Sequence, residues 1–182
     1  NIPGDIIECG VFKGTGHLYW LKLLKIFDNN SSKKVIGFDT FTKFPKSTLD
    51  YELKSAKAFI KESKFKKNNF QEVKRKIKNS GLSIKSELVK GDIIKTSKSY
   101  VNKNKGFRIS LLHLDLDTYE GTKATLKNFF PLVSKGGVLI FDEYGSRGWG
   151  ESDAIDEYFE GTKYKIKKTE YSFKPSAYLI KE

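Results

Sequence analysis

In LLHLDLDTYEG, from Leu111 to Gly121, an apolar run gives way to Asp115 and Asp117. A spacing of two places both carboxylates on one face if the strand continues through them. Side by side at an apolar edge, two anions are costly unless water, a cation or a hydrogen-bonding ligand compensates them. A second acidic pair, Asp142 and Glu143, ends another apolar run, GGVLIFDEYG. Four carboxylates suit a hard divalent cation that takes oxygen ligands. No histidine or cysteine cluster competes: His17 lies in a glycine loop, and His113 is expected on the opposite strand face from Leu112 and Leu114. Magnesium is therefore favoured over zinc, with calcium and manganese left open. Such a site is suited to activating a hydroxyl, since coordination can lower the pKa of water from about 15.7 to roughly 7. A neighbouring carboxylate can then take the proton.

The elements that must position these acids alternate in type. GDIIECG reads as a first strand, KKVIGFDTF as a second, SELVKGD as a third from about Glu87 to Lys90, FRISLLHLD as a fourth and GGVLIFDEYG as a fifth after a Lys135-Gly136-Gly137 turn. Helical patterns separate them: GHLYWLKLLKIFDNN with Leu18, Leu21 and Leu24 inward, a lysine-rich stretch, and YEGTKATLKNFFPLV with Leu126, Phe129 and Phe130 inward. A helix from Glu151 to Glu160 precedes KYKIKKTEY and SAYLIKE, which alternate like an antiparallel pair. Apolar strands alternating with helices predict a parallel sheet covered on both faces. Ligands of such sheets sit beyond the carboxyl ends of the strands, where all four acids fall. Asp117 as the cap of a helix starting near Thr118, and Asp142 as a turn residue, are the structural alternatives.

A glycine loop lies at the same edge. In ECGVFKGTGH, Gly10, Gly14 and Gly16 join the first strand to a helix whose N-terminal amides face outward. The spacing E-x-G-x-x-x-G-x-G differs from the dinucleotide fingerprint and lacks the Lys-Ser/Thr ending of a P-loop. Glu8 at the end of the first strand can pair with a cationic amino-acid end, Asp39 at the end of the second with a ribose diol, and Asp92 after the third with an adenine amine. As a set they suit S-adenosylmethionine, although Asp39 and Asp92 individually also fit a turn or helix N-cap. Thr15 belongs to the same loop, and Phe41 is placed either on the adenosine or in the core. Tyr144 and Trp149, in EYGSRGWGES, are candidates for an acceptor pocket.

Composition narrows the alternatives. The 182 residues carry a formal charge of +12, which attracts phosphate without regard to sequence. Arginine occurs only at Arg75, Arg108 and Arg147, whereas nucleic-acid sites draw on its bidentate and stacking geometry. The densest lysine run places Ala56, Phe59, Ile60, Phe70, Val73 and Ile77 at near-helical spacing, as a solvated helix face does. Nucleic acid is therefore not the expected partner. The single cysteine, Cys9, excludes a disulfide framework and fits a reducing, cytoplasmic setting. No apolar run reaches the length of a membrane span. Starting at Asn1 with strand-like residues almost at once, the chain is expected to be trimmed or to begin with a disordered start. One domain over residues 1–182 is expected, with residues 45–80 as a lid or helical insert.

GDIIECGVFKGTG, IGFDTFTKFP, VKGDI, HLDLDTYEGT, GGVLIFDEYG and AIDEYFE, in this order, resemble the macrocin O-methyltransferase (TylF-type) family of class I methyltransferases. The resemblance runs from Gly4 to Lys181. It implies a Rossmann-like α/β fold with a mostly parallel seven-stranded sheet, an antiparallel C-terminal strand and helices on both faces. It also implies S-adenosylmethionine as methyl donor and magnesium-dependent methylation of a hydroxyl on a sugar, a glycoside or another small molecule. By the family pattern, Asp115, Asp142 and Glu143 are metal ligands and Asp117 is the base. The family usually shows Asp-Asp where this chain has Asp142-Glu143, leaving open whether Glu143 reaches the ion directly. A catechol-type O-methyltransferase and a basic nucleic-acid-binding or RNA-modifying protein are the competing functions, and a homo-oligomer is compatible with the methyltransferase readings.

Overall fold

The computed structural model describes residues 2–42, 44–45, 47–62 and 70–182. Its five central strands are β1 (Asp5–Cys9), β2 (Val35–Asp39), β3 (Ser86–Lys90), β4 (Ile109–Leu114) and β5 (Val133–Phe141). Two further strands, β6 (Lys167–Lys168) and β7 (Ala177–Ile180), complete one sheet in the order β3-β2-β1-β4-β5-β7-β6. All pairings from β3 to β5 are parallel, and β7 runs antiparallel to both β5 and β6. The expected α/β architecture with an antiparallel C-terminal strand is what the chain adopts.

Alternation along the strands divides the core in two. Ile7, Cys9, Leu112, Leu114, Leu139 and Phe141 face one side, where they join Ile93, Leu126, Phe129, Ile155 and Phe159. That side is covered by α4 (Ile93–Lys103), α5 (Tyr119–Phe129) and α6 (Glu151–Phe159), packed side by side. Ile6, Val11 and Val35 face the other side with Leu21, Leu24, Val73 and Ile77, on α1 (Thr15–Phe27) and α3 (Phe70–Asn79). Removing apolar area from water on both faces is what commits strands of this composition to the sheet interior.

The segment 45–80 contains α2 (Asp50–Glu62) and α3; within it, residue 46 and residues 63–69 lie outside the described residues. Of the helical face read there, Ala56, Val73 and Ile77 are buried, whereas Ile60 is exposed.

Two details differ from the sequence reading. The fifth strand begins at Val133, upstream of the glycine turn, because an irregularity carries the pairing from Ile109↔Val133 to Leu111↔Val138. Gly136 sits in that irregularity at φ 78°, a conformation that favours glycine. More consequentially, β4 ends at Leu114, so Asp115 and Asp117 do not share the face of a pleated strand. The chain turns there: the Thr118 N–H donates to Leu116 O at 2.6 Å and Asp117 takes φ 60°. The Gly150 N–H donates to Asp117 O at 3.0 Å and holds this turn.

Candidate active site

Backbone hydrogen bonds carry the ladder past the strand ends and set the acids beside one another. The Asp115 N–H donates to Cys9 O at 2.8 Å, and the Asp142 N–H to Leu114 O at 3.0 Å. With Leu114 paired to Phe141, Asp115 and Asp142 are the next residues out on adjacent strands. Gly10 closes the loop after β1 against this point. A Cβ at Gly10 would lie 1.8 Å from Asp115 O, and its φ of 99° is itself a glycine conformation, so no other residue fits.

A cavity of about 620 Å³ opens at this edge. Gly10, Asp39, Asp92, Asp115, Asp117, Asp142, Glu143 and Trp149 all contribute to its lining. The four acids singled out by spacing therefore do converge on one space. Phe12, Phe44, Phe59 and Trp149 form an aromatic part of the wall, with Phe44 and Trp149 5.7 Å apart between ring centroids and inclined at 32°.

Burial dominates the electrostatics of the cluster. It raises Asp115 to about 7, with the Asp142 and Asp117 charges adding to the effect. Asp117 rises to about 6 for the same first reason, opposed by the Lys174 ammonium and reinforced by Asp142 and Glu52. His113, Asp115 and Asp142 bring one ligand atom each to within 4.8 Å of one another. The oxygens of this group fit a divalent cation, whose charge would compensate anions that burial and mutual repulsion otherwise penalise. Glu143 is only 3% exposed and its carboxylate meets the Lys174 ammonium. The same ammonium lies 3.8 Å from Asp142 Oδ2.

Other acids at this edge are used by the fold itself. Asp39 Oδ2 accepts from the Val11 and Phe12 N–H groups at 3.0 and 2.8 Å, and its Oδ1 from Phe41 N–H at 2.6 Å. Asp92 caps α4 by accepting from Ile94 N–H at 3.0 Å. Glu8, 2% exposed, has its Oε2 2.9 Å from His17 Nδ1 and does not line the cavity. His17 belongs to α1, with its other nitrogen 2.9 Å from Ser86 Oγ. Gly14, Thr15 and Gly16 stand at the start of α1, away from the cavity lining. Phe41 is buried against Phe70, 4.9 Å between centroids, and Tyr144 donates its hydroxyl to Asp156; neither lines the cavity. The cap of α5 is Thr118 rather than Asp117.

Three residues of this neighbourhood, Glu52, Glu151 and Lys174, are not singled out from sequence as parts of the site, and a fourth, His113, reads there only as no competitor for the metal. Glu52, on the lysine-rich α2, is 1% exposed and accepts from Tyr119 N–H at 2.7 Å, serving the start of α5 from 67 positions away. Glu151, fully buried at the start of α6, accepts from Glu143 N–H at 2.9 Å. Burial pushes its carboxyl well above the usual range, with Asp115, Asp117 and Asp142 adding to the shift. Lys174 arrives from the β6–β7 connection, and no local pattern marks it. His113 alone had a signal, since it stands on β4 two residues before Asp115.

Comparison with known proteins agrees with the fold. The family model for macrocin O-methyltransferase (TylF) matches residues 1–168. A demethyldecarbamoylnovobiocin O-methyltransferase of Streptomyces niveus is 29% identical over 163 residues, 87% of this chain and 59% of that protein. A Streptomyces olivaceus enzyme, 8-demethyl-8-(2,3-dimethoxy-alpha-L-rhamnosyl)-tetracenomycin-C 4'-O-methyltransferase, is 24% identical over 164 residues, again 87% of this chain and 59% of that protein. The chain thus spans a little under three-fifths of these relatives. The solved structure of the O-methyltransferase NovP superimposes with a TM-score of 0.82 at 24% identity, covering 100% of this chain and 73% of that one. Matched over most of its length, the chain belongs to the macrocin O-methyltransferase (TylF) family.

Proposed function

We propose that this chain is the S-adenosylmethionine-dependent catalytic unit of an O-methyltransferase whose acceptor is a hydroxyl on a sugar-bearing small molecule. The observation that carries this reading is the convergence of Asp115, Asp117, Asp142 and Glu143 on the same cavity as Gly10, Asp39 and Asp92. Class I methyltransferase architecture supports S-adenosylmethionine as the donor, with Gly10, Asp39 and Asp92 as the residues nearest to it. Gly14, Thr15 and Gly16 hold the loop in place, and Glu8 acts through His17. The rhamnosyl group in the Streptomyces olivaceus relative's name supports a sugar acceptor.

Asp115 and Asp142 would hold a magnesium ion, with Glu143 beside them and its charge offset by Lys174. Such an ion supplies acidity to a hydroxyl bound beside it. Methyl transfer from a sulfonium needs the acceptor oxygen in line and its proton removed. Asp117 is the group suited to take that proton: raised to about 6, it remains mostly ionised at neutral pH while being basic enough to accept. Its turn is fixed by the Gly150 N–H, so the carboxylate is pre-positioned. The aromatic wall excludes water from the acceptor side.

That wall also favours a second reading, in which the acceptor is a planar phenol or catechol stacked on Phe44 and Trp149. Transfer of labelled methyl from S-adenosylmethionine to deoxysugar glycosides and to catechols, with magnesium and with chelator, tests both. Glycoside labelling that chelator abolishes is the expected result. Labelling of catechols alone selects the second reading, and no labelling of any hydroxyl acceptor defeats both.

A further inference from the structure

Behind the carboxylates runs a polar chain that has no part in the reaction above. Trp20, on α1, donates its indole N–H to His113 Nδ1 at 3.3 Å. The rings meet edge-on, with centroids 5.6 Å apart and planes at 68°. The other imidazole nitrogen, Nε2, is buried without a hydrogen-bond partner among the described residues. It faces Asp142 Oδ1 across 3.7 Å, too long for a formed hydrogen bond but close enough for an N–H dipole there to be oriented by the carboxylate.

The donor at Nδ1 decides the ring's state. An indole N–H has no lone pair to offer and can only donate. Nδ1 must therefore present its own lone pair, and the neutral ring carries its hydrogen on Nε2. Ligation of a metal needs the lone pair of the nitrogen that faces it, and at Nε2 that lone pair is taken up by the N–H bond.

We infer that His113 is a positioning residue and not a metal ligand: Trp20 locks it as the Nε2–H tautomer, and this N–H steadies Asp142 from behind. The site is thereby left with oxygen donors only, which disfavours zinc relative to magnesium or manganese. The consequence for metal choice rests on the proposed cation site; the tautomer does not.

The chain has two histidines, so long-range proton–nitrogen NMR of the imidazoles resolves the matter, with His113→Gln assigning the signals. The expected spectrum shows His113 unprotonated at Nδ1 and protonated at Nε2, and it keeps that pattern when magnesium is added. Trp20→Phe frees Nδ1 and is expected to give mixed tautomers and to raise the affinity for zinc relative to manganese by about tenfold, read by competition titration. Protonation of Nδ1, or loss of the Nε2 hydrogen on adding magnesium, overturns the inference. So does a Trp20→Phe protein with unchanged tautomer and unchanged metal preference. Should Trp20→Phe fail to fold, the wild-type spectrum decides alone. A chain with the expected tautomer but no methyl transfer would defeat the proposed function and leave this inference standing.

Discussion

Acids at the ends of β1, β2 and β3 and acids at the ends of β4 and β5 occupy equivalent places in the fold and meet opposite fates. Asp39 is surrounded by three backbone N–H donors, Asp92 by the start of α4, and Glu8 by His17. Asp115 and Asp117, in contrast, are raised by burial and by neighbouring carboxylates. Polar groups taken out of water must find partners. On the first side the loops supply them, so the acids hold the loops in shape. On the second side the chain crowds negative charge together, an arrangement that costs the fold stability and that the proposed cation would compensate.

Asp117→Asn is the most severe way to test the second side. Loss of the proposed base is expected to reduce turnover by about 10²–10⁴-fold, measured as labelled methyl transferred per enzyme. Calorimetric binding of S-adenosylmethionine should be almost unchanged. Normal turnover would mean that the crowded acids are not chemical, and the contrast between the sides would lose its functional meaning.

On the first side the expected loss is in stability. Asp39→Ala removes the acceptor for three N–H groups at once. Hydrogen bonds to charged acceptors contribute roughly 1.5–3 kcal/mol each and are not additive, so a destabilisation of about 3 kcal/mol in urea unfolding is expected. Asp115→Asn should do the reverse in metal-free protein, stabilising it by about 2 kcal/mol at pH 8. The sign follows from proton uptake. Asp115 and Asp117 start from a usual value of 3.8 and are raised to about 7 and about 6 in the fold. Between those values the native state binds more protons than the unfolded chain, so its stability is fully present below about pH 4 and falls as pH rises towards about 7. Metal-free protein should lose stability over that range, and Asp115→Asn should flatten the loss. Excess magnesium should restore stability increasingly above pH 7.

The same contrast explains what sequence could and could not disclose. Strand composition and the helical repeats of Leu21, Leu24, Leu126 and Phe129 are local signals, and they led directly to the sheet and its two covered faces. The four acids were visible because each follows an apolar strand. The pleat argument for Asp115 and Asp117 failed because a tight turn with φ 60° at Asp117 replaces the strand, and nothing in the residue types announces where a strand stops pairing. Asp39 read either as a ribose partner or as a turn residue, and its three backbone donors have no sequence signature that would have disclosed them. Glu52 lies just before the lysine run read as a solvated helix face and drew no notice, yet its partner is the amide of Tyr119. Lys174 could not be foreseen at all, since its neighbours are determined by the return of β7 along β5.

Lys174 supplies the mildest and most discriminating test of the crowded side. Its ammonium pairs with Glu143 and lies 3.8 Å from Asp142, so it occupies part of the negative field that a divalent cation would use. With the side chain 42% exposed, solvent screens the interaction, and the effect should be modest. Lys174→Met is expected to tighten manganese binding by about tenfold, or 1.4 kcal/mol, in a direct titration at low salt, with the gain shrinking as salt is added. Weaker binding would show that the lysine organises Glu143 for the ion instead of competing with it. No change would place the ion on Asp115 and Asp142 beyond the reach of this charge. Either result would revise the part played by Glu143 while leaving the pairing of Asp115 and Asp142 across adjacent strands intact.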